Sequence, residues 1–296
     1  MITKAVNRDL LQYIDILKQI LVRKIMKLHF KKILDFFGLV LMKKETLELM
    51  KFDLLSVLKY VTSDKLLKQT EKDFIFFATQ FFLKNENTMY SQLGQDLLAL
   101  SGNSTKRNGF FVEIGGGNAI RSSNTYLLQS EFDWQGIIVE PNPELANEIL
   151  AVRGASKQLT ILTCAIAKDS GTENFLAAGL LGTLDRFIAG DAHQKQRKKL
   201  RNQFGLIQIE TLSSFDFVKK HVGSKKIDFL SVDTEGSEFE ILSNWPFNLS
   251  KPKIIVFEHN NRKWKFSLEQ VLQKNGYIKV LEKISKFDSW FVLIDD

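Results

Sequence analysis

Residues 109–296 predict an α/β fold on a mostly parallel sheet with an antiparallel last strand, and the residues before them predict an N-terminal α-helical extension. Three observations lead there. Short runs rich in Val, Ile and Phe alternate with helix-length amphipathic stretches, the alternation begins only near residue 109, and the last two runs are joined by too short a link for a helical crossover. The parallel strands are expected at 110–114, 136–140, 159–163, 227–232 and 253–257, nearly all apolar as strands buried on both faces must be. Helices are expected at 123–132, 143–153, 213–221, 237–243 and 267–275. The final runs, 277–281 and 290–294, should pair antiparallel across the polar link 282–289.

Composition bounds the class of protein. Of 296 residues, 44% are hydrophobic and 25% charged, with only 4 Pro and 17 Gly, which excludes disordered and collagen-like chains. The single cysteine, Cys164, allows no internal disulfide, and no Cys/His set suggests a metal site, so a reducing, cytoplasmic setting is expected. The longest apolar run, 36–42, is far short of the roughly 20 residues a bilayer requires. The first thirty residues lack the pattern of a signal peptide, so the chain should be soluble or at most peripheral to a membrane.

Charge separates two regions. Residues 1–80 carry 15 basic and 9 acidic side chains, whereas the remainder of the net +7 chain is nearly balanced. Val6, Leu10, Ile14, Leu17, Leu21, Met26 and Leu28 recur at helical steps among Arg23, Lys24, Lys27, Lys31 and Lys32, which predicts an amphipathic helix with a cationic face. That face could be simply solvated while the helix packs on the rest of the chain or on a second copy. Alternatively, with Phe30, Phe36 and Phe37, it could meet anionic lipid or a protein partner. No nucleic-acid motif accompanies it, so no nucleic acid is expected. Phe74, Ile75, Phe77, Phe81 and Phe82 are dense enough to require burial. The expected division is a basic helical region 1–85 and a domain 86–296, meeting at the polar 84–87 stretch.

Parallel sheets bind ligands outside the carboxyl ends of their strands. The first expected strand ends Glu113-Ile114-Gly115-Gly116-Gly117, where glycine lets backbone approach a ligand, though a tight turn alone would also call for it. Glu140 closes the next strand, 27 positions after Glu113, where a carboxylate can take two hydrogen bonds from a ribose diol. Together these indicate an adenosine-containing cofactor, either a nicotinamide dinucleotide or S-adenosylmethionine. The acid-rich turn Asp233-Thr234-Glu235-Gly236-Ser237-Glu238 and the terminal hairpin favour the latter.

These motifs resemble the FkbM family of S-adenosylmethionine-dependent methyltransferases, within the Rossmann-like class I methyltransferases. The likeness runs from Tyr90 to the C-terminus. It rests on the lead-in Tyr90-Ser91-Gln92-Leu93-Gly94-Gln95-Asp96, on Phe111-Val112-Glu113-Ile114-Gly115, on Ser123-Asn124-Thr125-Tyr126-Leu127 and on Gly136-Ile137-Ile138-Val139-Glu140-Pro141-Asn142-Pro143. The most specific string is Ile227-Asp228-Phe229-Leu230-Ser231-Val232-Asp233-Thr234-Glu235-Gly236-Ser237-Glu238; Thr211-Leu212 and Phe257-Glu258-His259 also fit. Asn118-Ala119 stands where the family usually has Asp-Gly.

The resemblance implies metal-independent methylation of a hydroxyl on a sugar, glycan or secondary metabolite. It assigns the turn of Gly115, Gly116 and Gly117 to the methionine end of the cofactor, Glu140 to the ribose, and Cys164 with Ala165 to the adenine, with Glu113 and Pro141 also among the cofactor-binding residues. Asp233 falls beside the donor's amino-acid portion or the acceptor. Asp233, Glu258 and His259 are the candidate proton acceptors, His259 because an ordinary imidazole titrates near neutrality. Plainer roles stand beside these: packing for Cys164, capping for Asp233, helix N-terminal charge for Glu235 and Glu238, and a buried hydrogen bond for His259. His193, Lys195, Arg197, Lys198, Lys199 and Arg201 fall in a long insertion that could be a lid, an acidic-acceptor site or a solvated helix face. The rival functions are a non-catalytic methyltransferase-like scaffold and a nicotinamide oxidoreductase.

Overall fold

The structure is a computed structural model describing residues 71–74, 77–78, 81, 90–154, 158–189, 193–260 and 262–294. The chain divides into two units, Met1–Asn87 and Thr88–Asp296. In the first, the described helical residues Phe74, Ala78 and Phe81 are buried and Phe77 is half-buried. The expected cationic helix within 1–44, most of the 1–85 region, Ile75 and Phe82 lie outside the described residues. No helix among the described residues is long and apolar enough to cross a membrane.

The second unit is built on a seven-stranded sheet. Its strands are β1 (Phe110–Ile114), β2 (Gln135–Val139), β3 (Leu159–Leu162), β8 (Phe229–Val232), β9 (Ile254–Glu258), β10 (Tyr277–Val280) and β11 (Asp288–Leu293). They lie in the order β10-β11-β9-β8-β1-β2-β3, with every pairing parallel except those of β11. The order runs outward in both directions from β1 and β8, so their carboxyl ends flank a crevice. Helices α1 (Gln95–Gly102), α2 (Tyr126–Phe132), α3 (Pro143–Arg153), α5 (Ser214–Phe217), α6 (Glu238–Ser243) and α7 (Lys265–Lys274) accompany the strands. The helix α3 spans the expected residues because its ends are well marked: Asn142 Oδ1 accepts from the Glu144 amide at 3.1 Å, Pro143 opens the first turn and Arg153 closes the last. Val112, Ile137, Leu230 and Ile255 from four parallel strands share one core with Phe217, Ile241, Leu268 and Leu272 from the helices. A single-turn α8 (Glu282–Ser285) occupies the link before β11, and the terminal hairpin is antiparallel as expected.

The insertion differs from its reading. Between β3 and β8 the chain forms a second sheet of β4 (Ala165–Ala167), β5 (Gly171–Leu176), β6 (Thr183–Leu184) and β7 (Ile207–Ser213), ordered β4-β7-β5-β6. It also forms the helix α4 (Gln194–Phe204). These strands escape sequence reading because β4 and β6 are very short and β5 is polar and exposed over most of its length.

Candidate active site

The carboxyl ends of β1, β2, β8 and β9 open into a cavity of ≈ 140 Å³, lined among others by Glu113, Gly115, Gly116, Gly117, Glu140, Asp233 and Glu258. Glycine is required at its floor. Gly115 has φ +88°, and a Cβ there would lie 1.7 Å from the Asp233 carbonyl oxygen, so the ends of β1 and β8 can approach only without a side chain. A Cβ on Gly116 would fall 2.4 Å from Ile138 Cγ2. Neither Asn118 nor Ala119 has positive φ, so the absence of the family's usual glycine causes no backbone strain.

Two buried glutamates hold the floor differently. Glu113, 3% exposed, accepts from the Asn124 amide at 3.0 Å and from Thr125 Oγ1 at 2.5 Å, with Arg153 Nη1 at 3.7 Å. Burial raises its pKa against the opposing pull of Arg153. Glu113 thus borders the cavity while its carboxylate ties β1 to the turn before α2. Glu140, 5% exposed, accepts among the described residues two backbone amides, Gly117 N at 2.7 Å and Asn142 N at 2.8 Å. Burial, with the Glu113 charge nearby, outweighs these two amides and pushes its carboxyl up to about 7.

On the opposite wall, Asp233, Glu238 and Glu258 each place an oxygen within 4.8 Å of the others, a spacing that could ligate a cation and that protons can equally satisfy. Glu238 accepts from the amides of Thr234 (2.9 Å) and Gly236 (3.0 Å), so it, and not Asp233, holds the turn before α6. Asp233 is an exposed side chain that lines the cavity. Desolvation, then repulsion from Glu235, Asp288 and Glu238, raises its pKa well above the ordinary value. Glu258, half-buried and accepting from Asn260 Nδ2 at 2.6 Å, is raised by burial and then by Asp233. Each disfavours the other's ionisation, so the two titrate as one coupled pair.

Pro141 and Ala165 line the cavity, whereas Cys164 and His259 are not among its lining residues. Cys164 lies in the core, its thiol pushed up to about 11 by burial. His259 is 1% exposed, with Nε2 3.0 Å from the Asp288 carbonyl oxygen, and burial lowers it to about 4, so it is neutral and fastens β9 to β11. Sequence reasoning missed Asp288, which lines the cavity, accepts from Gln95 Nε2 at 2.7 Å and is raised by burial to about 7. It also missed the contribution of Leu180 and Phe175 from the insertion. Gln95 stands in the Tyr90–Asp96 lead-in, but nothing in the sequence pattern pairs it with Asp288 across 193 positions.

A glycine turn at one strand end and a buried acid at the next, facing a crevice of a mostly parallel sheet, define a Rossmann-like α/β protein. Residues 113–279, more than half of the chain, match the methyltransferase FkbM domain, and the protein belongs to that methyltransferase family. No curated protein matches the chain. Among solved structures it is similar to a fibrillarin pre-rRNA processing protein of Methanococcus jannaschii, at 14% identity and TM-score 0.35, over 63% of this chain and 66% of that one, just under two thirds. A putative caffeoyl-CoA O-methyltransferase from Staphylococcus aureus aligns at 10% identity and TM-score 0.39, over 77% of this chain and 100% of that one. An O-methyltransferase from Bacillus cereus aligns at 12% identity and TM-score 0.32, over 80% and 95%.

Proposed function

We propose that the protein transfers a methyl group from S-adenosylmethionine to a hydroxyl of a sugar, glycan or secondary metabolite. The observation that carries this reading is one cavity bordered by the glycine turn and Glu140 on one side and the Asp233–Glu258 carboxyl pair on the other. The residues suit such a cofactor. Among the described residues no Lys or Arg lines the cavity, while six carboxyl groups do, which favours a ligand of positive charge. Each Glu140 oxygen keeps a lone pair beyond the amide it accepts, so the carboxylate can also take the two protons of a ribose diol.

When bound, S-adenosylmethionine supplies a methyl made electrophilic by its sulfonium. The Gly115–Gly117 turn holds the donor's methionine portion close to backbone, and Asp233, in its carboxylate form, takes the proton that the acceptor hydroxyl loses. Glu258, raised by burial and by Asp233, keeps its own proton and so lowers the repulsion that a second charge would bring. Calorimetry of the full chain should show micromolar binding of S-adenosylmethionine, weakened by about 1.5–3 kcal/mol in Glu140→Ala with cooperative melting kept. A folded chain that binds none of it would return the domain to the scaffold reading, and binding of a nicotinamide dinucleotide would favour the oxidoreductase.

A further inference from the structure

The helix α4, Gln-Lys-Gln-Arg-Lys-Lys-Leu-Arg-Asn-Gln-Phe, is almost wholly polar, and its one buried residue is Arg197, at 0% exposure. A charged side chain is taken out of water only where fixed acceptors meet it. Arg197 Nε donates to the Leu181 carbonyl at 3.2 Å, and its Nη2 pairs with the Glu235 carboxylate. These two acceptors belong to different parts of the cavity. Leu181 lies in the loop between β5 and β6, and Glu235 in the turn between β8 and α6.

The same two segments meet again at several points. The Glu235 carbonyl accepts from Thr183 Oγ1 at 3.1 Å and from Arg262 Nη2 at 3.2 Å. Arg186 spans from Glu173 at 3.2 Å to Glu240 at 2.8 Å, and Phe187 lies so close over Gly236 that a Cβ there would be 2.6 Å from its own Cβ. Glu235 itself is held at φ +60°, a conformation a non-glycine residue keeps only where its surroundings enforce it. The loop fastened in this way carries Leu180, which is 59% exposed and lies across the glycine turn: a Cβ on Gly117 would be 3.3 Å from Leu180 Cδ2. The turn it is fastened to carries Asp233 and Thr234, both on the cavity wall.

We propose that Arg197 is a positioning residue which, by joining Leu181 to Glu235, fixes the roof of the cavity at the height that retains the cofactor over Gly117 and beside Asp233. The role of the roof rests on the cofactor reading above. Arg197 is not among the residues that line the cavity; it sets the distance between segments that do line it. The guanidinium suits this because its planar fork reaches two acceptors at once, which an ammonium cannot do with the same geometry.

The test uses the full chain, S-adenosylhomocysteine as probe, and tryptic cleavage after Arg186 in the roof. Arg197→Met should bind the probe roughly ten-fold or more weakly, with the loss mainly in faster dissociation. Cleavage after Arg186 should accelerate and no longer be slowed by the probe. Arg197→Lys should fall between Met and the parent, Glu235→Gln should reproduce the Met variant, and Arg107→Ala, which removes an exposed pair with Asp133, should change neither reading. If Arg197→Met does not fold, Glu235→Gln decides. A folded Arg197→Met or Glu235→Gln variant with parental dissociation and cleavage rates would overturn the proposal. A parent chain that binds no probe would count against the cofactor reading alone, because cleavage after Arg186 still compares parent and variants.

Discussion

The floor and the roof of the cavity each depend on a buried arginine, and the two are embedded in different ways. Arg153, under the floor, meets Glu113, Ser123, Thr125 and Gln129 within the packed α/β core. Arg197, in the roof, joins a loop and a turn beside the smaller of the two cores, Ala165, Ala167, Phe175, Leu184 and Ile209 with two partly buried neighbours, while Ile166 and Leu212 of the same sheet belong to the main core. The floor is therefore held by burial with charges paired inside it, and the roof by the charges themselves. Substitutions in the floor should read out as stability, and substitutions in the roof as ligand retention.

The largest effect is expected where the floor has no slack. Gly115→Ala combines a positive φ with a Cβ 1.7 Å from backbone oxygen, so β1 and β8 must separate. We expect a loss of about 4 kcal/mol in denaturant unfolding, or no folded product. Near-parental stability would show that the strand ends can part freely. Arg153→Met comes next. It strands a Glu113 carboxylate that is 3% exposed, and a loss of about 3 kcal/mol is expected by the same measurement. A smaller penalty than that of Arg197→Met would reverse the contrast between floor and roof.

The carboxyl wall supplies the third prediction. Once an acceptor is identified, Asp233→Asn should lower turnover roughly 100-fold, whereas His259→Gln should act through stability and leave the pH profile of the reaction in place. His259 is outside the cavity lining and already neutral, so a vanished pH dependence in that variant would return it to the catalytic set.

These contrasts also mark what sequence could and could not show. The floor was legible because its chemistry is local: Gly115, Gly116 and Glu140 sit at the ends of apolar runs whose period announces buried strands, and Glu113 lies in the first of these runs, eleven and twelve positions before the Asn124 amide and Thr125 hydroxyl it accepts from. The roof was not. The short β4 and β6 and the polar β5 carry no periodic signal, and the burial of Arg197 depends on Glu235, 38 positions away, meeting it in space. Asp288 was hidden for the same reason, its partner Gln95 lying at the other end of the domain. His259 shows the converse error, in which a residue type suited to proton transfer stands next to the right strand end but turns into the core.

Acidity gives a fourth, smaller effect. Glu140 and Asp288 are both raised to about 7 in the folded chain, Glu140 facing the Gly117 and Asn142 amides with the Glu113 charge nearby, and Asp288 facing Gln95 and Trp290 with the Glu238 charge nearby. A raised acid adds stability while protonated, fully so below its unfolded pKa, and that contribution is lost as pH rises through the folded value. The ligand-free chain should therefore lose about 2–3 kcal/mol between pH 6 and 8. The opposing contribution of His259, lowered to about 4, is already complete near its ordinary 6.5. A cationic ligand prefers the ionised wall, so the rise in melting temperature on adding S-adenosylmethionine should grow over the same range. A pH-independent ligand shift would separate the wall from the ligand.

The smallest effect is expected at the turn where the chain departs from its family. Asn118 Oδ1 accepts from the amides of Ile120 at 3.1 Å and Arg121 at 2.8 Å, so the side chain itself closes the turn that Asp would close in the family pattern. Ala119 follows with negative φ and its methyl group 1% exposed. Ala119→Gly, which restores the family's usual residue, therefore relieves no strain. It should cost about 1 kcal/mol through chain entropy and a lost buried methyl, and leave cofactor affinity within two-fold. A gain in affinity would mean that the turn changes conformation when the cofactor binds, which would make the floor less rigid than its glycines and buried glutamates indicate.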